Sequence, residues 1–147
     1  MKRQEMKTRR LTGADYDQIV ELWQRAGLPY KPQGRDHKDA VEAQIAANPD
    51  LCIGIFEENR LTGVVLATTD GRKGWMNRLA VDPDCRRRGV AKTLIHEAEA
   101  TLRKHGIRIF CALIESGNTT SVRLFKASGY REHRDIVYFS KRDSGQV

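Results

Sequence analysis

The run Leu79-Ala80-Val81-Asp82-Pro83-Asp84-Cys85-Arg86-Arg87-Arg88-Gly89-Val90-Ala91 holds the residues of this chain with the most specific chemical use. It reads as an apolar strand, a proline break, a basic turn with one glycine, and the start of a helix. Amides in the first turn of a helix have no intrahelical acceptor, and the helix dipole adds positive potential there. Such an end seats a phosphate or pyrophosphate. Gly89 and the small Ala91 let a ligand approach the backbone, and Arg86, Arg87, Arg88 and Lys92 add charge. The ordinary fate of an arginine run is a solvated face, but its place beside Gly89 at a helix start favours phosphate. The turn lacks the Lys-Ser/Thr ending of a P-loop and the GxGxxG of a dinucleotide fold, so neither of those chemistries is expected.

The elements that must hold this turn follow from periodicity and punctuation. Thr8–Leu11 reads as a short strand. Thr12 to Asp15 has the form of a helix cap, and Tyr16, Ile19, Val20 and Trp23 follow at helical spacing, giving a helix over Gly13–Arg25. Gly27–Gly34, with Pro29 and Pro32, is a long loop. A second helix capped by Asp36 or Asp39 ends at Asn48-Pro49. Strands are expected over Leu51–Phe56, Leu61–Thr69 and Trp75–Val81, the last two joined at Asp70–Gly74. A helix over Arg88–Lys104 presents Val90, Leu94, Ala98 and Leu102 on one face. Ile107–Ile114 is a nearly continuous apolar run, as in a strand buried on both faces. A last helix starts at Asn118 or Thr119 and ends at Gly129. Tyr130–His133 and Ile136–Lys141 read as a closing hairpin, and Arg142–Val147 as a frayed tail. The crossover helix makes Trp75–Val81 and Ile107–Ile114 parallel, while tight turns make the three central strands antiparallel. The fold class is a mixed α/β sheet of about seven strands with about four helices, in one domain over 1–147 with its core at about 8–141.

At 147 residues the chain fits one domain. Hydrophobic residues make up 39% and charged residues 31%, an ordinary globular balance. No apolar run approaches the roughly 18–20 residues of a membrane helix, and the charged start Met1–Glu5 gives no sign of a secretory signal. The 26 lysines and arginines against 19 acidic residues leave +7, which favours anionic partners. The basic residues are scattered, with no aromatic-interleaved motif, which argues against nucleic acid. Three widely spaced cysteines fit free thiols in a reducing compartment, so a cytoplasmic location is expected. Neither they nor the histidines have ligand spacing, so no metal is expected.

Arg86-Arg87-Arg88-Gly89-Val90-Ala91 resembles the Arg/Gln-x-x-Gly-x-Gly/Ala motif of the GNAT superfamily of N-acetyltransferases. Leu79-Ala80-Val81-x-Pro83 resembles the family's preceding strand. Asn118 followed by Leu124-Phe125-Lys126-x-x-Gly129-Tyr130 is similar to its final-helix pattern, and the element order agrees from Thr8 to Lys141. The resemblance implies that acetyl-CoA is the cosubstrate, bound where two parallel strands splay apart. Carried over, Leu79, Ala80 and Val81 would pair with the pantetheine arm, and the amides from Arg87 to Ala91, with Lys92 near, would hold the pyrophosphate. Asn118 and Phe125 would line the pantetheine or acetyl end.

The implied reaction is direct attack of a primary amine on the thioester, with a backbone amide near Val81 stabilising the oxyanion. Two departures concern the protons. Many relatives have a tyrosine where this chain has Phe125, which cannot donate to the leaving thiolate. Relatives that use a strand glutamate have it where this chain has Trp75 or Leu113, which leaves Glu115 as the candidate base. These departures keep a second reading open, a non-catalytic acyl-CoA-binding module. The acceptor end is expected at the Gly27–His37 loop and the Asp70–Gly74 turn, with Tyr30, Arg35, Arg72, Trp75 and Asn77 as candidate contacts for an acceptor bearing a carboxylate or phosphate. Trp75, Asn77 and Leu79 are expected on one strand face. A lone His37 near a helix start reads as structural. Homodimers are common in the family, though no surface patch in the sequence argues for one.

Overall fold

Apolar residues at successive positions of Cys52–Phe56 leave that segment no face for water, and it becomes an interior strand. In the computed structural model, which describes residues 5–147, five strands form one sheet in sequence order: β1 (Met6–Arg10), β2 (Cys52–Glu57), β3 (Arg60–Thr69), β4 (Gly74–Val81) and β5 (Phe110–Cys111). The first four are antiparallel to their neighbours, and β5 runs parallel to β4. Helices α1 (Tyr16–Arg25) and α2 (Lys38–Ala47) pack on one face, α3 (Val90–Lys104) and α4 (Thr119–Ala127) on the other.

Alternation along β3 builds both cores. Val64 and Leu66 face Ile19, Leu22 and Trp23 of α1, whereas Val65 and Ala67 face Leu94, Ala98 and Leu102 of α3. Gly63 is needed where the two meet: a Cβ there would collide with Val90 Cγ1 and lie 3.0 Å from Leu94 Cδ1. The bare backbone therefore lets the first turn of α3 settle on the sheet.

The mixed α/β class holds, with five strands rather than about seven. Ile107–Ile114 pairs with β4 only at Gly74↔Phe110 and Trp75↔Cys111. It is the edge of the sheet, so Ile109 and Leu113 are exposed rather than buried on both sides. The closing hairpin does not form. With two residues of β5 in the ladder there is little edge to extend, Glu132 is drawn to Lys126 and Arg134 (3.0 and 3.2 Å), and Phe139 is 87% exposed. The 142–147 tail packs on the long loop, where Lys31 Nζ donates to the Gly145 carbonyl (3.2 Å). The cap of α2 is His37, whose Nδ1 accepts from the Asp39 amide (3.2 Å), in place of Asp36 or Asp39. Asp36 is buried and accepts from the Lys31 amide (2.8 Å).

The predicted cap at Thr12–Asp15 forms a single 3₁₀ turn leading into α1. The Asp15 carboxylate accepts from Arg9 Nη1 and Nη2 (2.9 Å each) and from the Thr12 amide (2.8 Å). Chiefly through the Arg9 hydrogen bonds, its pKa is held below the ordinary carboxylate range. A depressed folded-state pKa contributes stability above the unfolded value of about 4, lost as pH falls through the folded value. Asp15→Asn is expected to cost about 1–3 kcal/mol at pH 7. The gap between wild type and variant should close toward pH 2, which urea denaturation at several pH values measures.

Candidate active site

The turn before α3 is built by Asp82. Its backbone N–H donates to the Thr62 carbonyl (2.8 Å), its carbonyl accepts from the Cys85 amide (2.8 Å), and Oδ1 accepts from the Asp84 amide (2.9 Å). Oδ2 lies 3.2 Å from both Arg25 and Arg60. This buried carboxylate ties the exit of β4 to α1 and β3, so the following residues start from a fixed point. Arg87 (φ +66°) and Gly89 (φ +78°) then take left-handed conformations, and α3 begins at Val90. Left-handed φ is strained for Arg87 and natural for Gly89. No side chain caps α3 and no acid lies in its first turn, so its leading amides open toward solvent at the positive end of the dipole. Arg86, Arg87 and Lys92 are exposed and form no ion pair among the described residues.

The β4–β5 ladder stops at Trp75↔Cys111. Beyond it the β5 side of β4 has no partner strand, which leaves the backbone of the Leu79–Val81 stretch open to an extended ligand. The other side of β4 pairs Leu66↔Asn77 and Val64↔Ala80, so Arg78 and Leu79 together oppose Val65. This is a β-bulge, with Arg78 at φ +55°. It inverts the facing of every later residue: Asn77 and Ala80 lie on the α1 side, Met76, Leu79 and Val81 on the α3 side. The expected sharing of one face by Trp75, Asn77 and Leu79 fails for Leu79 for this reason.

On the α1–α2 face a cavity of about 690 Å³ opens beside the bulge. Its walls include Asn77 and Arg78 of β4, Arg35 and Asp36 of the long loop, and Tyr138 and Ser140 of the C-terminal segment. Asn77 donates Nδ2–H to Thr68 Oγ1 (2.8 Å). A second depression of about 390 Å³ lies between α3 and α4, lined by Lys92, His96, Glu99 and Ser128. The two lie on opposite faces of the sheet.

The order of strands and helices that holds this turn has a counterpart in known proteins. The model of the acetyltransferase (GNAT) family matches residues 16–130. The chain belongs to this family. It is similar to an acetyltransferase of Photorhabdus laumondii, with 28% identity over 87% of this chain and 89% of that one. Among solved structures it is similar to the PaiA N-acetyltransferase of Thermoplasma acidophilum in complex with coenzyme A (19% identity, TM-score 0.76, 86% of this chain and 90% of that one). The aminoglycoside 6′-N-acetyltransferase AAC(6′)-IG of Acinetobacter haemolyticus has TM-score 0.75 at 20% identity, over 94% and 99% of the two chains. These two likenesses are of fold.

Within this GNAT domain the residues singled out from sequence separate. The Arg86–Lys92 segment and Leu79–Val81 do adjoin one another. Arg88 is turned away, its Nη1 donating to Glu57 Oε2 (2.9 Å), which leaves only its backbone toward the turn. Asn118 caps α4, Oδ1 accepting from the Ser121 amide (3.1 Å). Phe125 is 6% exposed in the α3 core, edge-on to Tyr130 (5.0 Å), and so stands inside the domain. Glu115 is exposed at the end of the β5 segment. Of the acceptor candidates, Arg35 and Asn77 line the cavity. Tyr30 does not; its hydroxyl meets that of Tyr16 (3.1 Å). Trp75 lies in the β5 ladder and Arg72 at the exposed tip of the Asp70–Gly74 turn. Arg78 was missed, although two adjacent polar residues in the middle of an otherwise apolar strand are a bulge signal. Cys85 lies buried, and burial raises its pKa, as expected of an unreactive thiol. Among the described residues no helix is long and apolar enough to cross a membrane, and no three His, Cys, Asp or Glu side chains cluster to hold a metal.

Gly63 and Gly89 both position the helix end, by different means. Gly63→Val would drive side-chain atoms into Val90 and Leu94, with an expected loss of about 1–3 kcal/mol. Gly89→Ala meets nothing within 4 Å and should lose about 1–2 kcal/mol through backbone strain alone. Chemical denaturation of both variants checks the two values. Nitrogen-15 chemical shifts should move throughout α3 for Gly63→Val and only locally for Gly89→Ala.

Proposed function

We propose that the chain transfers the acetyl group of acetyl-CoA to a primary amine. One observation carries this reading: the uncapped, solvent-open start of the 15-residue α3 stands at the mouth of the β4–β5 splay. A pyrophosphate on the amides of Arg87 to Ala91, with Arg86, Arg87 and Lys92 alongside, would leave the pantetheine arm to run as an added strand against Leu79–Val81. Acetyl-CoA, when bound, would supply an activated thioester at the far end of that arm. Family membership supports the same assignment, and so does the coenzyme A bound in the PaiA enzyme of like fold.

In the transfer the amine nitrogen forms a bond to the thioester carbonyl carbon, the C–S bond breaks, the amine loses a proton and the thiolate gains one. An amide near Val81, beyond the bulge, can donate to the oxygen that gathers charge. Phe125 supplies no proton. The Tyr130 hydroxyl donates to Glu99 Oε2 (2.7 Å), and burial, then this bond, raises its pKa. Its proton is thus committed within the α3–α4 packing. A thiol ionises within reach of neutral pH, so the thiolate can leave without a side-chain acid. Glu115 is the carboxylate we assign as base for the amine.

The lack of a hydroxyl at Phe125 and of a glutamate at Trp75 and Leu113 favours one competing reading, an acyl-CoA-binding module without turnover. Titration calorimetry with acetyl-CoA, with dephospho-CoA as control, tests the site: saturable micromolar binding is expected, weaker for the control. Thiol release in the presence of an amine panel then separates enzyme from module, since binding without amine-dependent release would leave only the module. Glu115→Gln is expected to lower kcat by about 100-fold with the acetyl-CoA Kd retained. An unchanged kcat would assign the proton to water.

A further inference from the structure

The cavity beside the bulge is lined by four cationic side chains, Arg35, Arg78, Lys141 and Arg142, against two anionic ones, Asp36 and Asp143, and Arg142 Nη1 donates to the Val147 carbonyl oxygen (3.1 Å). Arg78 is the unusual member. It occupies a left-handed conformation (φ +55°) that costs a non-glycine residue about 1–2 kcal/mol. Its side chain is 19% exposed, and the guanidinium stacks 4.2 Å over the Trp23 ring. Nη2 donates to the Pro29 carbonyl (2.7 Å) and lies 3.5 Å from Asp36 Oδ2. Nε is buried with no partner. Asp36 is only a partial counterion, because the same Oδ2 accepts the shorter bond from the Lys31 amide (2.8 Å).

Nη1 forms no hydrogen bond among the described residues and, unlike Nε, keeps accessible surface, so it is the donor that a bound anion can reach. The planar fork of arginine suits a carboxylate, and the flat Trp23 face fixes its plane. Arg78 is also adjacent in sequence to Leu79, where the strand edge opens toward the thioester. An acceptor anchored at Arg78 would therefore have its amine close to the reacting carbonyl. We infer that Arg78 is the anchor for a carboxylate carried by the acceptor, so that the acceptor is an amine of the amino-acid class rather than a polycation. This inference rests on the acetyltransferase reading above and deepens it. The fold is shared with an aminoglycoside acetyltransferase, but a polyamine or an aminoglycoside would bring several positive charges to a wall that already holds a cationic excess.

The test is thiol release at saturating acetyl-CoA with free amino acids and dipeptides, each beside its carboxamide, and with spermidine and an aminoglycoside as polycations. The expected result is a kcat/KM at least tenfold higher for the best acid than for its amide and for either polycation. Arg78→Gln should raise KM for the acid at least tenfold and leave KM for the amide in place, erasing the preference; Arg78→Lys should keep part of it. The acetyl-CoA Kd of each variant reports whether the domain is folded. Because Arg78 packs on Trp23, the exposed Arg35→Gln is the second variant, with a smaller narrowing of the same preference expected. Equal rates for acids and amides, a polycation as the best acceptor, turnover of no member, or a preference unchanged in the folded variants would each overturn the inference. Failure of the wild type to bind acetyl-CoA would overturn the transfer reading itself. Binding with acid-blind turnover would overturn the Arg78 assignment alone.

Discussion

One extra residue in β4 decides how this domain is used. Without the bulge at Arg78 and Leu79, alternation would put Leu79 and Val81 on the α1 side and leave Ala80 facing α3. The shift keeps large side chains under α3, where they support the helix whose first turn is uncapped, and leaves Ala80 under α1. It also turns a guanidinium into the opposite cavity. Bulges disrupt a ladder locally and increase strand twist, and here the disruption falls just past the last β4–β5 pair, Trp75↔Cys111. The open edge of β4 and the side chain that faces the cavity therefore lie side by side on one strand.

The second constraint is close approach. α3 can present its amides at the end of β4 only if its first turn lies flat on β3, and Gly63 permits this by having no side chain. Asp82 holds the other side of the turn through three backbone hydrogen bonds. These contacts lie outside the segment that would touch a ligand, yet they fix where the free amides point. Arg88 belongs with them: paired to Glu57 (2.9 Å), it anchors the turn to β2 rather than adding to the exposed charge.

Much of this was legible in the sequence because it depends on local signals. Helix periods in Tyr16–Trp23 and Val90–Leu102, the proline after Asp82 and the basic turn ending in Gly89 located α1, α3 and the turn between β4 and α3 to within two or three residues. What was not legible depends on partners. Ile107–Ile114 has the composition of an interior strand, but only two of its residues find β4, since whether an apolar run is edge or interior is decided by its neighbours. The Tyr130–Lys141 hairpin failed with it, having no long edge to join. Phe125, which the resemblance sets at the ligand end, is 6% exposed and packs on Tyr130, a contact that its motif spacing does not reveal. Strict alternation does not single out Arg78, because the bulge at the polar pair Asn77-Arg78 breaks the period of the strand.

The basic surplus of the chain is also better understood from where its charges sit than from their sum. Arg9, Arg25, Lys38, Arg60, Arg78, Arg88, Arg103, Lys126 and Arg134 each lie within 4 Å of a carboxylate. Two local excesses remain among the residues considered for function: Arg86, Arg87 and Lys92 at the start of α3, and the lining of the cavity beside Arg78. They stand on opposite faces of the sheet and share β4 as their wall. Nucleic acid would call for one continuous basic face with phosphate contacts at regular spacing. Two separated excesses, one on exposed amides and one in a concave site with a free Arg78 Nη1, suit two small anionic groups brought to the same strand from either side.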